Sequence, residues 1–568
     1  MIRFTCDSSA AGTASVGNRF DNLSFWHFLG TTPDERMWHE WAEAMPDGWL
    51  KQRYPWLEEM QIFVASGGAY VGYPRQEGDV APCEFNRDLF KNPADRTVLD
   101  DYDFTPLVRA CRNMLRQGVR PCLKLHGVPL KFSSRPKIDW FRVNCRPPDN
   151  YPVYADYISA LVRAMVDAFG LGEVSAWRWF IGTEMENKNW WEAQDESPET
   201  TKLEFLKLYD WSVFAIERVL GVGSGRAIGA HAMMTNGIWK PEDFFEHCHS
   251  GKNCVTGNAG SRLDFFAISY YDRAPGYLES DEWQTTNLTG AGGDLANFDK
   301  IIERTRRALD DHGFGGLLIE VSEGAMLFGM DGKWLWHGLC PGGVFDASWT
   351  AWAFWKMLES GTVRWSRWPL LRTDGLFHGP EAVATHAMRM ISEMKDDLRL
   401  PVVQADDGRL IRVIAGISPA KDRVRLLVFH HAADVTKPAE TASIHLHVTN
   451  LPFAGTVRIR RRVLDAKHGD FWSQWEKDRA AAGIIDKDYF RSRDQFDVAH
   501  ALSNPAHVAL WKHKEPEYEA LAALPVPITE IHRTAGGTID LHDERPCFSL
   551  ALFEIEPAGS RPRFHARE

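Results

Sequence analysis

The chain has 568 residues, of which 44% are hydrophobic and 25% are charged, and its formal net charge is −12. These values are typical of a soluble globular protein with more than one domain, and they exclude a disordered or fibrous chain. The acidic balance gives no basic surface for phosphate backbones, so we expect no nucleic-acid partner.

The sequence shows no segment that indicates export, a membrane or a cofactor. It has no apolar segment at its start and no apolar run of about 18 residues. We therefore expect a cytoplasmic protein with no membrane partner, and secretion stays open only if a leader was removed. The HExxH, GxxxxGKS/T and strand-linked GxGxxG motifs do not occur, so we predict no metal and no cofactor.

Eight short apolar segments alternate with longer amphipathic ones between residues 21 and 394. This alternation is typical of βα repeats around a parallel sheet, and eight repeats predict a closed barrel. The amphipathic segments, such as 105–118, 205–220 and 298–313, are predicted as its outer helices. The predicted strands begin at Leu23, Gln61, Val119, Ala176, Arg226, Leu263, Gly316 and Gly361.

After residue 394 the pattern changes to short segments of alternating hydrophobicity that are separated by polar turns, such as RLIRVIAGI and VRLLVFHH. This pattern predicts an all-β sandwich over residues 395–568. The opening segment IRFTCD is predicted to join it through a strand within residues 1–20. The predicted fold class is therefore α/β, with a (β/α)8 TIM barrel over 21–394 and an accessory C-terminal all-β sandwich domain.

Two glutamates stand where a barrel of this kind carries its chemistry, at the C-terminal ends of strands. Glu184 follows the fourth predicted strand, and Glu320 ends the seventh within an otherwise apolar segment. Hydrolysis of a glycosidic bond needs such a pair, one carboxyl to protonate the leaving oxygen and one to stabilise or attack the anomeric centre. The two strands face each other near the ~5–5.5 Å separation that retention requires. Glu186, Glu192 and Glu323 are close enough to be rivals.

Glu320 and Glu323 compete for the second role. In a regular strand side chains alternate between two faces, so residues three apart point in opposite directions and only one can line the barrel mouth. The apolar run 317–319 leads directly into Glu320, whereas Glu323 comes just before Gly324 in what is predicted to be a loop. Position therefore favours Glu320.

Several segments resemble glycoside hydrolase family 39, the family of β-xylosidases and α-L-iduronidases. GTEMENKNWW and the later LYDWSVFAIERV are similar to its fourth-strand motif, WNEPNLxxFW, and the helix that follows it. LDFFAISYY resembles its sixth strand, DFISFHYY, while VRPCLKLHGVP and GLLIEV resemble its third and nucleophile strands. RRVLDAKHGDFWSQWEKD resembles a family segment outside the barrel, so the resemblance covers nearly the whole chain.

The resemblance implies a retaining, exo-acting glycosidase on plant or microbial oligosaccharides, similar to a β-xylosidase, that works by double displacement. It implies Glu184 as acid/base and Glu320 as nucleophile, with Tyr270 orienting the nucleophile. Trp190 and Trp191 would limit the hydration of Glu184 and raise its pKa. Together with two histidines at strand ends, the predicted substrate-binding residues are Thr183, His126, His231, Tyr270, Trp190 and Trp191.

Departures from the family pattern fall on substrate-facing positions. Thr183 stands where relatives have Asn, Met185 where they have Pro, and Ser269 where they have His. The chemistry therefore carries over better than the sugar specificity. The same mechanism on another sugar, as in a galactosidase, an arabinosidase or a disaccharide-releasing enzyme, stays open, and so does a non-catalytic carbohydrate-binding barrel. In each case the expected partner is an oligosaccharide or glycoside, and a homo-oligomer is also left open.

Overall fold

The structure is a computed structural model of the protein, and it describes most of the chain. Nineteen strands, eleven α-helices and one short 3-10 helix lie within the described residues. None of these helices combines the length and the hydrophobicity that a membrane crossing requires. The described residues are 1–24, 42–64, 88–93, 95–137, 144–222, 227–235, 237–273, 293–330, 333–335, 343–367, 379–404, 408–433, 440–483 and 505–559.

Eight parallel strands form the centre of the fold. They are β2 (Asn22–Ser24), β3 (Glu59–Val64), β4 (Arg120–Leu125), β5 (Arg178–Ile181), β6 (Ala227–Ala232), β7 (Phe265–Arg273), β8 (Leu318–Met330) and β10 (Arg364–Arg367). Each strand pairs with the next, and β10 pairs with both β2 and β8, which closes the barrel. The short β9 (Lys333–Leu335) pairs antiparallel with the end of β8. The eight predicted strands are confirmed, although parts of the first, second and fifth lie outside the described residues.

Helices follow most of the barrel strands. They are α1 (Trp49–Arg53), α2 (Thr105–Arg116), α3 (Tyr151–Phe169), α4 (Leu171–Val174), α5 (Pro198–Leu220), α6 (Pro241–His249), α7 (Phe298–Asp311), α8 (Gly343–Ser360) and α9 (Val383–Ser392). Local signals set their ends: the Asn150 side chain accepts the N–H of Val153 at the start of α3. That helix ends at Gly170, whose φ of 85° suits a residue without a side chain.

Two further sheets pack face to face. Their strands are β1 (Ile2–Asp7), β11 (Leu398–Leu400), β12 (Val402–Gln404), β13 (Leu410–Ile417), β14 (Val424–His431), β15 (Thr441–Thr449), β16 (Thr456–Leu464), β17 (Ile528–Arg533), β18 (Ile539–Pro546) and β19 (Ser549–Pro557). One sheet has the order β12–β1–β15–β18 and the other β11–β13–β14–β19–β16–β17, and their inner faces share an apolar core.

The N-terminal strand lies inside the smaller sheet, where β1 pairs parallel with β15 and antiparallel with β12. The sequence predicted the C-terminal region as wholly β, but it also contains the helices α10 (Trp472–Ala481) and α11 (Pro505–Leu521). The fold class, a (β/α)8 barrel with additional β sheets, is confirmed. The division of the chain at residue 394 stays a prediction.

Helix α8 packs between the barrel and the six-stranded sheet. Its residues are buried on nearly every side, as expected for a helix enclosed by two apolar layers. The ring centroid of Trp352 lies 6.2 Å from that of Phe429 on β14, and that of Phe345 lies 5.1 Å from that of Phe548. Removal of the β sheets would therefore expose aromatic side chains of the barrel to water.

Candidate active site

Glu184 lies just beyond the carboxyl end of β5, and its side chain is buried. The carboxylate accepts hydrogen bonds from Ser269 Oγ at 2.6 Å, Asn187 Nδ2 at 2.8 Å and Trp190 Nε1 at 3.1 Å. Its backbone has a φ of 41°, in the left-handed region that costs a non-glycine residue about 1–3 kcal/mol. Such strain persists only where the surroundings enforce it, as the three donors do here by holding the side chain in the barrel.

Glu323 on β8 approaches Glu184 from another side of the barrel. Its Oε1 accepts a hydrogen bond from Tyr271 OH at 2.6 Å. Carboxylate oxygens of Glu184 and Glu323 and a ring nitrogen of His231 all lie within 4.8 Å of one another. Two buried carboxyls therefore face one space at the C-terminal ends of the strands, where enzymes with this fold carry their active sites.

A β-bulge in β8 places Glu323 in this position. Ile268 and Ser269 are consecutive residues of β7, yet they pair with Val321 and Glu323, which leaves Ser322 as an extra residue. An extra residue interrupts the alternation of side chains along a strand. Glu323 therefore points into the barrel.

Lys124 on β4 connects the surroundings of both carboxyls. Its Nζ donates to Ser322 Oγ and contacts His231 Nδ1, each at 3.2 Å. His231 Nε2 lies 2.8 Å from Ser269 Oγ, whose hydroxyl donates to Glu184. The Ser269 hydroxyl donates its proton to Glu184, so it can only accept a hydrogen bond from His231. Nε2 of His231 therefore carries a proton, and Nδ1 accepts a hydrogen bond from Lys124. A neutral imidazole thus stands between an ammonium and a carboxylate.

Burial shifts the ionisation of the whole cluster. It raises the pKa of Glu184, against the opposing effect of the hydrogen bonds from Ser269 and its other donors. The pKa of Glu323 is raised by burial and then by the charge of Glu184, while Lys124 opposes the rise. Burial lowers the pKa of Lys124 and, together with the Lys124 charge, that of His231. Two neighbouring carboxyls with raised pKa values can hold one proton between them, which gives one acid and one base.

The sequence is similar to that of known enzymes that cleave glycosidic bonds. Residues 87–304 match the family model of glycosyl hydrolases family 39. Over this segment the barrel resembles the members of that family. A β-xylosidase of Geobacillus stearothermophilus is 22% identical over 407 residues, which cover 66% of this chain and 70% of that protein. A β-xylosidase of Caldicellulosiruptor saccharolyticus is 26% identical over 199 residues, 35% of this chain and only 36% of its own length.

A solved structure shows the same fold along almost the whole chain. The monomeric β-xylosidase from Caulobacter crescentus CB15 has a TM-score of 0.64 and 15% sequence identity, and the match covers 98% of this chain and 100% of that one. The family model and the two β-xylosidase relatives support a glycoside hydrolase, an enzyme class that acts on glycosides.

Four of the predicted substrate-binding residues lie beside Glu184. The backbone N–H of Thr183 donates to His126 Nδ1 at 3.0 Å, and the His126 ring packs edge-on against Trp190 with centroids 5.1 Å apart. Burial lowers the pKa of His126 to about 3, so its ring is neutral. His231 joins them through Ser269. Their contact with a sugar stays a prediction.

Trp191 lies in the barrel core instead. Its Nε1 donates to the carbonyl oxygen of Thr201 at 3.2 Å, and its ring lies 6.2 Å from that of Phe205 on α5. These contacts fix the loop after β5 against the helix that follows it. Shielding of Glu184 by Trp191 stays a prediction, whereas Trp190 donates a hydrogen bond to the carboxylate.

Tyr270 also faces away from the site. Its ring packs 5.2 Å from Phe298 of α7 and 6.0 Å from Trp365, because alternate residues of β7 face the helices. The prediction that Tyr270 orients the nucleophile is wrong. Tyr271, which the sequence comparison passed over, points inward and donates to Glu323.

Glu320 lies towards the opposite end of the barrel from Glu184. It forms a buried ion pair with Arg178, the first residue of β5, whereas Glu184 follows the last residue of that strand. Arg178 also pairs with Glu59 at 3.0 Å, and Arg364 lies 2.8 Å from the same carboxylate. These charges neutralise one another at the N-terminal ends of the strands, the end of such a barrel that serves stability.

The assignment of Glu320 to the active site is therefore wrong, and the bulge at Ser322 is the reason. The prediction assumed regular alternation, in which Glu320 and Glu323 must face opposite sides. With one extra residue, both face the interior at different depths. The sequence did contain a signal for Glu323. The apolar run ends at Ser322, and active sites of such barrels lie at the C-terminal ends of the strands, which favours the later glutamate.

The remaining rivals have structural partners. Glu186 Oε1 accepts the backbone N–H of Met234 at 2.8 Å, and burial raises its pKa to about 7. Glu192 forms an ion pair with Lys137 at 2.6 Å. Neither shares the space between Glu184 and Glu323 in the described part of the chain.

Proposed function

We propose that the protein is an exo-acting, retaining glycosidase of the β-xylosidase type, with Glu184 as acid/base and Glu323 as nucleophile. The observation that carries the proposal is the approach of these two buried carboxyls, whose oxygens come within 4.8 Å. Retention needs carboxyl groups about 5–5.5 Å apart, whereas inversion needs about 6.5–9.5 Å to admit a water molecule. The proximity supports double displacement.

The surroundings of each carboxyl support its role. Tyr271 donates a hydrogen bond to Glu323, and the Lys124 ammonium opposes the rise of its pKa, so both favour the ionised form that a nucleophile needs. An ionised Glu323 disfavours a second negative charge nearby. The proposed mechanism places the proton of the pair on Glu184, from where it can be given to the leaving group. It needs Glu323 to be ionised when the sugar is bound, although burial and the Glu184 charge raise the pKa of Glu323 to about 8 in the free protein.

The reaction proceeds in two displacements. In the first, a Glu323 oxygen attacks the anomeric carbon, the bond from that carbon to the leaving oxygen breaks, and the leaving oxygen takes the Glu184 proton. In the second, Glu184 takes a proton from water, the water oxygen attacks the anomeric carbon, and the ester bond to Glu323 breaks. Two inversions restore the configuration, and both glutamates return to their starting states.

The sugar is proposed from the Geobacillus and Caldicellulosiruptor relatives, both of which are named β-xylosidases. Ser269 gives a reason to test other sugars, since its hydroxyl already contacts His231 and Glu184. A panel of nitrophenyl glycosides should show the highest turnover with the β-D-xyloside, with β-anomeric product appearing first in proton NMR. A different preferred sugar would change the substrate only, while an α-anomeric first product would contradict double displacement.

A 2-fluoro xyloside tests the nucleophile directly. The fluorine slows both displacements, so a good leaving group allows the ester to form and accumulate. We expect one label per chain on the peptide that contains Glu323. Because Glu320 lies in the same peptide, fragment-ion sequencing must separate the two, and an ester on Glu320 or Glu184 would contradict the assignment.

A further inference from the structure

The outer face of the four-stranded sheet carries four side chains that can bind metal ions. His445 and His447 lie on β15, and Asp540 and His542 lie on the edge strand β18. In the antiparallel register His445 is opposite His542 and His447 is opposite Asp540. The residues between them are buried in the sandwich core, so these four side chains share the solvent face.

Three of the four converge on one point. His445 Nε2 and His447 Nδ1 each lie 2.7 Å from Asp540 Oδ1, and the three atoms lie within 4.8 Å of one another. The His542 ring stacks on the His445 ring, with centroids 4.7 Å apart and planes 9° apart. Two imidazole nitrogens and one carboxylate oxygen thus lie close enough together to share one ion, and the ring of a third imidazole stacks beside them.

We propose that His445, His447 and Asp540, the sheet-face site, bind a divalent transition metal, with Zn²⁺ as the best match. Zn²⁺ takes imidazole nitrogens and carboxylate oxygens at about 2.0–2.2 Å, usually with four ligands. His445, His447 and Asp540 supply three ligands, and water supplies the fourth. On binding, the proton that each ring now directs at Asp540 moves to its other nitrogen, and the freed lone pair binds the metal.

The local charges suit a cation. Hydrogen bonds from His447 and His445 lower the pKa of Asp540, which keeps the carboxylate ionised. Arg3 of β1 is the neighbour of His445 in register and adds one positive charge, while Glu544 on β18 adds a negative charge on the same face. A bound ion would tie the edge strand β18 to β15.

Zinc binding to the untagged full-length protein, treated first with EDTA, tests the proposal. Isothermal titration at about pH 7.5 should show one ion per chain at this site. His447→Ala and Asp540→Asn should each weaken binding about tenfold or more. His532→Ala is the matched control, because it removes an exposed histidine that pairs with Glu530 at 2.9 Å on β17.

The readout separates this site from the active site. Zinc held by the buried Glu184, His231 and Glu323 would remain bound in His447→Ala, whereas the sheet-face ion would be lost. Circular dichroism of each variant shows whether it is folded, and the exposed Asp540→Asn change keeps the shape of the side chain. Absence of stoichiometric binding in the wild-type chain, or equal affinity in all three variants, would overturn the proposal.

Discussion

Glutamine substitutions at Glu320 and Glu323 should separate the stability of the barrel from its catalysis. Glutamine keeps the size of the side chain and removes the charge. Glu320→Gln takes one of two carboxylates from buried Arg178, which keeps Glu59 at 3.0 Å. Glu323→Gln removes a carboxyl whose pKa is raised by burial and by Glu184, so it removes a charge that the folded state disfavours.

The expected magnitudes differ in kind. Loss of one partner from a buried ion pair lowers the free energy of unfolding by about 3–5 kcal/mol. Because Arg178 keeps its contact with Glu59, we expect a loss of about 3 kcal/mol for Glu320→Gln. The pKa of Glu323 is higher in the folded than in the unfolded chain. The free energy of unfolding therefore decreases as the pH rises from the pKa of the unfolded chain towards that of the folded chain. Glu323→Gln avoids that loss and should keep or raise the free energy of unfolding at neutral pH.

Activity should follow the opposite order. Without its nucleophile, Glu323→Gln should lose on the order of 10⁴-fold or more in kcat/KM, whereas Glu320→Gln should stay within about tenfold of wild type where it is folded. Urea unfolding followed by tryptophan fluorescence, with nitrophenyl glycoside kinetics below the transition, measures both. A stable but inactive Glu320→Gln beside an active Glu323→Gln would refute the assignment drawn from the bulge.

Three other predictions concern the acid/base, the buried ammonium and the sandwich. Glu184→Ala should lose turnover of glycosides with poor leaving groups far more than turnover of activated aryl glycosides, and added azide should give a β-glycosyl azide. If Glu186→Ala gave this result and Glu184→Ala did not, Glu186 would be the acid/base. Lys124→Met should raise the pKa of Glu323 and move the acidic limb of kcat/KM to higher pH, and an unmoved limb would contradict its electrostatic role. A truncated chain of residues 21–394 should lose solubility or activity, so a cooperatively melting, fully active product would count against the dependence on the sandwich.

Local sequence determined much of this protein. The eight barrel strands were predictable because a parallel strand covered by helices is apolar along its length. The position of Glu184 at the carboxyl end of β5 was predictable because it depends on a short segment that follows one strand. Lys124 also left a signal that was not used, since a lysine inside the apolar segment VRPCLKL is rarely buried without polar partners.

Only the tertiary structure decided which residues meet at the second carboxyl. The bulge depends on how β8 pairs with β7. Its one extra residue brings Glu323, rather than Glu320, to the position that faces Glu184. The partner that holds Glu320 at the other end, Arg178, lies 142 residues earlier. Likewise His445 meets Asp540 across 95 residues, only because β15 and β18 pair in one register. Side-chain periodicity is a property of one strand, whereas register and bulges belong to the pair of strands, which no single segment encodes.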